Sequence, residues 1–366
     1  MEKPIWEFLK LILERGINYE EGQISLFDSI NSLIENMSIL CDESIIENSF
    51  NYVLKNVKNK TPTKICSSIY SFGCILRTIH QKKMIEIIPK SIVLLCDLFK
   101  LKNEDINLAL SWCLEKICLL YPYIILQNKK IFSLLMRKIL DLIIEKNHRN
   151  EFIRKLCHTT FFLISYKNKN DLPFEVNLSP YIEELFEKVF LLGFLPKSFE
   201  KDSNVSEICF QIILELFEII KENDTYLLTY IFEKICIYSE IVSKGNDNPE
   251  KNEFYQNNIC LLLQKYCKIE FIKNIEINEE IVAILFRYIE IFFKARKKIF
   301  NEGILAMSGL LVLIPEKKLG NFLKKIMNYI DIILKRKEEN EGYEAVTICI
   351  LNILKISKKK WTGLCK

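Results

Sequence analysis

The residues of this chain best able to do chemistry are three histidines and thirteen cysteines. His80, His148 and His158 lie far apart, and none falls in an H-E-x-x-H or H-x₃₋₅-H spacing, so a zinc ion would need ligands gathered from separate segments. The cysteines are scattered singly, with no C-x-x-C pair; Cys74, Cys113, Cys209, Cys260 and Cys349 each fall within an apolar stripe. That is the pattern of small buried hydrophobes in a reducing compartment, not of a disulfide framework. Glycine occurs only 10 times, too rarely for phosphate-cradling loops, and no G-x-x-x-x-G-K-[ST], G-x-G-x-x-G or G-x-S-x-G run is present. A Cys–His pair brought together by the fold is the one catalytic arrangement that spacing leaves open. The expectation is a chain with no enzymatic activity, no metal and no cofactor.

Binding is more legible than catalysis. On a helix turning 100° per residue, Ile106, Leu110, Cys113, Leu114, Ile117, Leu120 and Tyr121 form one broad apolar face, and Trp112 falls on the opposite side with Leu108, Glu115 and Leu119. Tyr70 lies opposite Ile65, Ile69, Phe72 and Leu76, and His158 opposite Phe152, Ile153, Leu156 and Thr160. Tyr70, Trp112 and His158 are 42 and 46 residues apart. Planar groups at such a spacing predict a ladder along one face, able to stack on Lys and Arg stems at about 0.5–2 kcal/mol per cation–π contact. Glu115 beside Trp112, and Glu151 two turns before His158, are expected to supply charge. The competing expectation is that each ring simply rests on the neighbouring structural unit.

The elements that must position these residues are helices. Of 366 residues, 49% are apolar, with only 9 prolines. Stripes at i, i+3, i+4 and i+7 recur throughout, and no period-2 strand stands out. The predicted pairs are 4–15 with 22–40, 43–57 with 62–79, 83–100 with 104–121, and 128–146 with 150–166. They continue as 179–195 with 203–221, 224–244 with 250–268, 277–297 with 300–314, and 317–336 with 340–357. Asp42, Asn103 and Ser179-Pro180 are placed to start helices, and Pro122 and Pro315 to end them.

The pair-to-pair step is about 40 residues, within the range of HEAT and armadillo arrays. A single hairpin cannot bury so wide an apolar face, but a row of stacked hairpins can. The predicted fold is therefore an all-α solenoid of about eight helix pairs, one domain over residues 1–366. The segments 167–177 and 243–252 are expected as loops within it. Residues 1–15 read as half a repeat and "WTGLCK" lacks a visible cap, so the array is expected to be a segment of a longer one.

The formal net charge of +4 is spread over mixed Lys/Glu faces, without the basic footprint of a nucleic-acid binder. "KARKK" (294–298) and "KISKKK" (355–360) are expected at helix ends, where they complement the dipole. "MEKPIWEFLK" is charged from the start, and no apolar run reaches the length of about 18 residues that a membrane span needs. A cytosolic or nuclear protein is expected.

Four stretches carry a family resemblance. "SSIYSFGCILRT" (67–78), "MIEIIPKSIVLLCDLFK" (84–100) and "LALSWCLEKICLLYP" (108–122) resemble consecutive middle HEAT repeats of the importin-β family. There a helix carrying A-F-G-C-I-L is followed one repeat later by A-W-x-x-x-x-I-C-x-L-L-P. Ser71 to Leu76, then Trp112, Ile117, Cys118, Leu119, Leu120 and Pro122, stand in those positions. "EGILAMSGLLVLIPEKKLGNFLKKIMNYIDIILK" (302–335) resembles a later family segment, D-A-L-M-A-V-S-x-L-x-x-x-L-G-x-x-F-x-x-Y.

The resemblance implies a nuclear import receptor that takes cargo, or the basic helix of importin-α, on its concave face. It also implies partners in Ran-GTP and FG nucleoporins, and a location in cytoplasm, nucleus and nuclear pore. Trp112 matches a tryptophan contact of that family, and His158 stands where its next tryptophan would be. The family's acidic loop should fall near residues 16–22, where only Glu20 and Glu21 occur. The N-terminal repeats that supply the principal Ran surface have no counterpart, and the family's strong acidity is absent. A transportin-like receptor, or a HEAT scaffold of the phosphatase or condensin type, are the competing readings.

Overall fold

The computed structural model describes residues 32–36, 39, 44–57, 61–77, 81–143, 149–194, 203–220, 225–244, 249–269, 272, 279–295, 300–314, 316–335 and 340–364. Among these no strand occurs. The helices are α1 (Ser44–Val57), α2 (Pro62–Cys74), α3 (Gln81–Leu98), α4 (Glu104–Leu120), α5 (Pro122–Gln127), α6 (Lys129–Leu142), α7 (Asn150–Lys169) and α8 (Ser179–Phe194). They continue as α9 (Ser203–Phe217), α10 (Thr225–Ser243), α11 (Pro249–Cys267), α12 (Glu279–Ala295), α13 (Phe300–Leu310), α14 (Glu316–Leu334) and α15 (Asn340–Leu364). The pairs predicted from residue 43 onward are all present as helical hairpins, and the fold is an all-α HEAT-repeat solenoid. Of the first predicted pair, only residues 32–36 and 39 are described, and they are helical.

Local chemistry explains several boundaries. The Asn103 side chain accepts hydrogen bonds from the Asp105 and Ile106 amides at 3.1 and 3.0 Å, which makes it the cap that starts α4. Glu104 and Asp105 then place negative charge in the first turn, where the helix dipole favours it. Asn128 caps α6 in the same way through the Ile131 amide, at 3.2 Å. Pro122 does not only end a helix. It sits at the start of the short helix α5, where its missing N–H costs nothing, so the turn after α4 re-forms as a helix.

Other boundaries differ from expectation. Helix α7 runs on to Lys169, into the segment expected as a loop. Ser179-Pro180 does open α8 as expected, and the Ser179 amide donates to the Asn177 side chain at 3.1 Å. Helix α15 continues to Leu364, so residues 355–360 lie inside it and not at its end. Asp42, Pro315 and residues 296–298 lie outside the described residues, as do His80 and His148.

Two compact units divide the chain, Met1–Glu215 and Leu216–Lys366. In the first, the second helices α2, α4 and α7 lie side by side and pack more closely than the first helices α1, α3 and α6. The core between the layers is aliphatic and aromatic: Ile69, Phe72, Leu110, Leu114, Leu135, Phe152 and Leu156 are all buried. Polar ties bind each repeat to the next at nearly one repeat's spacing. The Tyr181 hydroxyl donates to Ser133 at 2.8 Å, Lys188 to the Leu140 carbonyl at 2.7 Å, and Arg137 to Glu184 at 3.1 Å.

The second unit repeats the device. Gln264 donates to the carbonyl and carboxylate of Glu302 at 3.0 and 2.8 Å, Tyr266 to the Leu228 carbonyl at 3.0 Å, and Asn352 to Ser308 at 3.2 Å. Contacts confined to adjacent repeats are what a solenoid requires.

Cys74, Cys113, Cys209, Cys260 and Cys349 are buried, as their stripes predict. No disulfide forms among the described cysteines. No described helix is long and apolar enough to cross a membrane, and no metal-ligating cluster occurs among the described residues.

Candidate functional site

Helices α2, α4 and α7 bring all five predicted site residues onto one face. Trp112 is half-buried, and the reason lies one repeat back. A Cβ at Gly73 would come within 3.0 Å of indole atoms Cε3 and Cη2, and closer still to Cζ3. Glycine at 73 therefore makes the seat into which the indole edge fits. Tyr70, one turn earlier on α2, meets the same ring edge-on with centroids 5.1 Å apart, a favoured aromatic geometry.

The ladder expected from spacing is thus formed between Tyr70 and Trp112, and it is an inter-repeat contact. Its cation is also internal. Lys116, at i+4, places its ammonium 4.4 Å from the indole centroid. Lys116 in turn pairs with Glu35, which lies 3.8 Å from Arg77.

The second cluster joins α4 to α7. His158 Nδ1 donates to Glu115 Oε1 at 2.6 Å, and Lys155 donates to Glu115 Oε2 at 3.3 Å. Lys155 also lies 3.6 Å from Glu151. The Glu115 side chain is only 18% exposed and that of Lys155 12%. Burial works to raise the Glu115 carboxyl, but the His158 hydrogen bond and the charge of Lys155 outweigh it and hold the group below its ordinary range. Burial pushes the Tyr70 hydroxyl up, and the neighbouring Cys66 thiol and the carboxylates of Glu151 and Asp105 add to that, so it is a neutral phenol at physiological pH. Around the ladder, Arg149 lies 3.0 Å from Glu104 and 3.4 Å from Asp105.

The face is therefore self-neutralised, and sequence spacing did not reveal this for Glu115. The carboxylates expected to offer free charge already serve residues of the chain. Helical spacing contains part of the signal, since Lys116 follows Trp112 and Lys155 follows Glu151 by four residues. The Glu115–Lys155 and Glu115–His158 contacts need the fold. Spacing from His158 also places Phe161 and Phe162 on the open face of α7. Both are half-buried, with centroids 5.9 Å apart and Phe162 6.0 Å from His158.

A second feature lies in the C-terminal unit. Between the first helices α12 and α14 a cavity of 130 Å³ is lined by Val282, Ala283, Leu313, Ile314 and Phe322. Glu279, Glu280 and Lys318 stand at its polar rim, and Lys318 pairs with Glu279.

No protein-family model matches the sequence, and no curated protein resembles it significantly in sequence. Solved structures match it in fold. Yeast importin-β (Kap95p) aligns over 99% of this chain and 41% of its own, with 12% identity and a TM-score of 0.74. Kap95p bound to RanGDP aligns over 94% of this chain and 40% of its own, with 12% identity and a TM-score of 0.74. A Kap95:Nup1 complex aligns over 96% of this chain and 40% of that one, with 13% identity and a TM-score of 0.71. The chain spans about two fifths of the length of these relatives in fold. Over nearly its whole length it has the HEAT-repeat fold of the importin-β karyopherins.

Proposed function

We propose that this chain is part of a nucleocytoplasmic transport receptor. Its second-helix face holds a cargo or adaptor segment, its first-helix side meets FG nucleoporins, and Ran-GTP displaces the ligand. What carries the reading is the seat of Trp112 on Gly73. The two motifs that resemble consecutive importin-β repeats are packed against each other through those two residues, which gives their pairing a physical reason.

Two further observations support it. Structures of similar fold include Kap95p with RanGDP and with Nup1. The cavity between α12 and α14 is apolar inside and of a size for one aromatic ring, which suits a phenylalanine from an FG segment. A carrier of this kind works in both cytoplasm and nucleus and performs no covalent chemistry.

The test is capture of the purified chain on immobilised FG-repeat peptides and on Ran loaded with a non-hydrolysable GTP analogue. Retention on FG peptides, reduced by Phe322→Ala, is expected. A chain that ignores both FG peptides and Ran would be a scaffold and not a receptor.

A further inference from the structure

The face of α2, α4 and α7 also specifies its ligand. Its carboxylates are engaged at home: Glu35 by Lys116 and Arg77, Glu115 by His158 and Lys155, and Glu151 by Lys155. One π face of Trp112, where a ligand cation could stack, already carries Lys116. Glu207 on the neighbouring helix α9 accepts a hydrogen bond from Gln211 at 3.5 Å. Arg154, one turn before His158, makes no ion pair with a described residue.

A lysine- or arginine-rich ligand would have to break these pairs before it gained anything, and it would meet Arg154. What remains unsatisfied is apolar. Leu119 is 48% exposed, Leu108 and Trp112 are half-buried on the same side of α4, and Phe161 and Phe162 are half-buried on α7.

We infer that this face takes an amphipathic helical segment of a partner protein, with large apolar side chains on one side and no excess of basic residues. The inference rests on the receptor reading above and names its ligand class. Packed helices lie about 8–10 Å apart, so side chains that reach α4 and α7 together must be spaced by about that distance. On a helix rising 1.5 Å per residue this is about seven positions, i and i+7. Such a ligand follows the general helix-in-groove mode, in which apolar anchors supply most of the affinity.

The probes are two fluorescent synthetic helices of equal length with Leu and Phe at i and i+7. One carries equal numbers of Glu and Lys on its polar side; the other carries only Lys and Arg there. Each is titrated with the purified chain by fluorescence anisotropy at low and at high salt. The balanced helix is expected to bind, with an affinity that changes less than about twofold between the two salts, because little of it is screened charge.

Leu119→Glu and the pair Phe161→Ala/Phe162→Ala should each weaken it by roughly tenfold or more. Leu119 is exposed, so that substitution leaves folding intact, and unchanged far-UV circular dichroism verifies it. Tighter binding of the basic helix, with steep loss at high salt, overturns the inference, as does binding of neither helix. If FG peptides and Ran are captured in either case, the receptor reading survives and only the ligand class is lost. If the balanced helix binds but FG peptides and Ran do not, the surface stands and the transport role falls.

Discussion

The edge of the Trp112 indole occupies the space that a side chain at position 73 would need. One repeat thus fixes a residue of the previous one as glycine, and the contact couples α2 to α4. Gly73→Ala is expected to lower stability by about 1–3 kcal/mol, the usual scale for overpacking a filled site, despite the gain in helix propensity. Trp112→Leu, which shortens the intruding ring, should cost a similar amount alone through the gap it leaves. Combined, the two should cost clearly less than their sum, because the leucine makes room for the new methyl group. Urea midpoints of the four proteins measure the coupling, and strict additivity would show that the ring does not depend on position 73.

The Glu115 pairs give the α4–α7 junction a pH signature. A carboxyl whose folded pKa is depressed adds stability that is complete above its unfolded value, near 4.3. That stability is lost as pH falls through the folded value. Glu115→Gln should therefore destabilise the chain at pH 7 by about 1–2 kcal/mol, since it takes the charged partner from His158 and leaves Lys155 only the more exposed Glu151. The gap between variant and parent should narrow below about pH 4. Thermal melts from pH 3 to 7 test the sign. A difference that persists undiminished at pH 3 would mean that the Glu115 charge contributes nothing.

How much of this was legible before the fold? Helix pairs from residue 43 onward were, because a 3.6-residue apolar period is written locally and needs no knowledge of partners. The second-helix placement of Tyr70, Trp112 and His158 was legible for the same reason. What the rings and charges touch was not. Trp112 faces away from its own helix's core, but the seat that receives it is a hydrogen atom at residue 73, which carries no hydropathy signal. Glu115 looked available because its partners, Lys155 and His158, are 40 and 43 residues away. Only helices held side by side bring them together. Pro122 was readable as a break, yet proline is equally suited to open a helix, and sequence alone does not choose between the two.

Thiol reactivity should separate the cysteines by burial. Cys157 and Cys209 lie with their sulfurs 4.0 Å apart inside α7 and α9, and both are fully buried. Burial raises the Cys209 thiol well above its ordinary range, and the hydrogen bond with Cys157 raises it further. Cys236 on α10 is only half-buried. Among the described cysteines, Cys236 should be alkylated first by iodoacetamide at pH 8. Cys157 and Cys209 should react only in denaturant, because both are covered and the thiolate, the reactive form, is disfavoured at the buried Cys209. Timed alkylation read by peptide mass spectrometry reports the order, and early labelling of Cys209 would mean that α7 and α9 separate readily in the native state.

Three glycines of the second unit offer a graded test of why glycine is present in a helix. A Cβ at Gly303 on α13 would lie 2.7 Å from Phe293 Cζ and closer to Cε1, so the ring of α12 fills that site much as Trp112 fills the site at Gly73. At Gly309 the nearest atom is the Cys267 Cβ, at 3.0 Å. At Gly320 on α14 nothing lies within 4 Å. Alanine at 320 should stabilise the chain by roughly 0.5–1 kcal/mol, the ordinary gain of alanine over glycine in a helix interior. Alanine at 303 should destabilise it by about 1–3 kcal/mol through displacement of Phe293, with 309 between the two. Urea midpoints of the three variants rank them directly. Should Gly303→Ala stabilise as much as Gly320→Ala, the close approach of Phe293 is not what keeps glycine at 303.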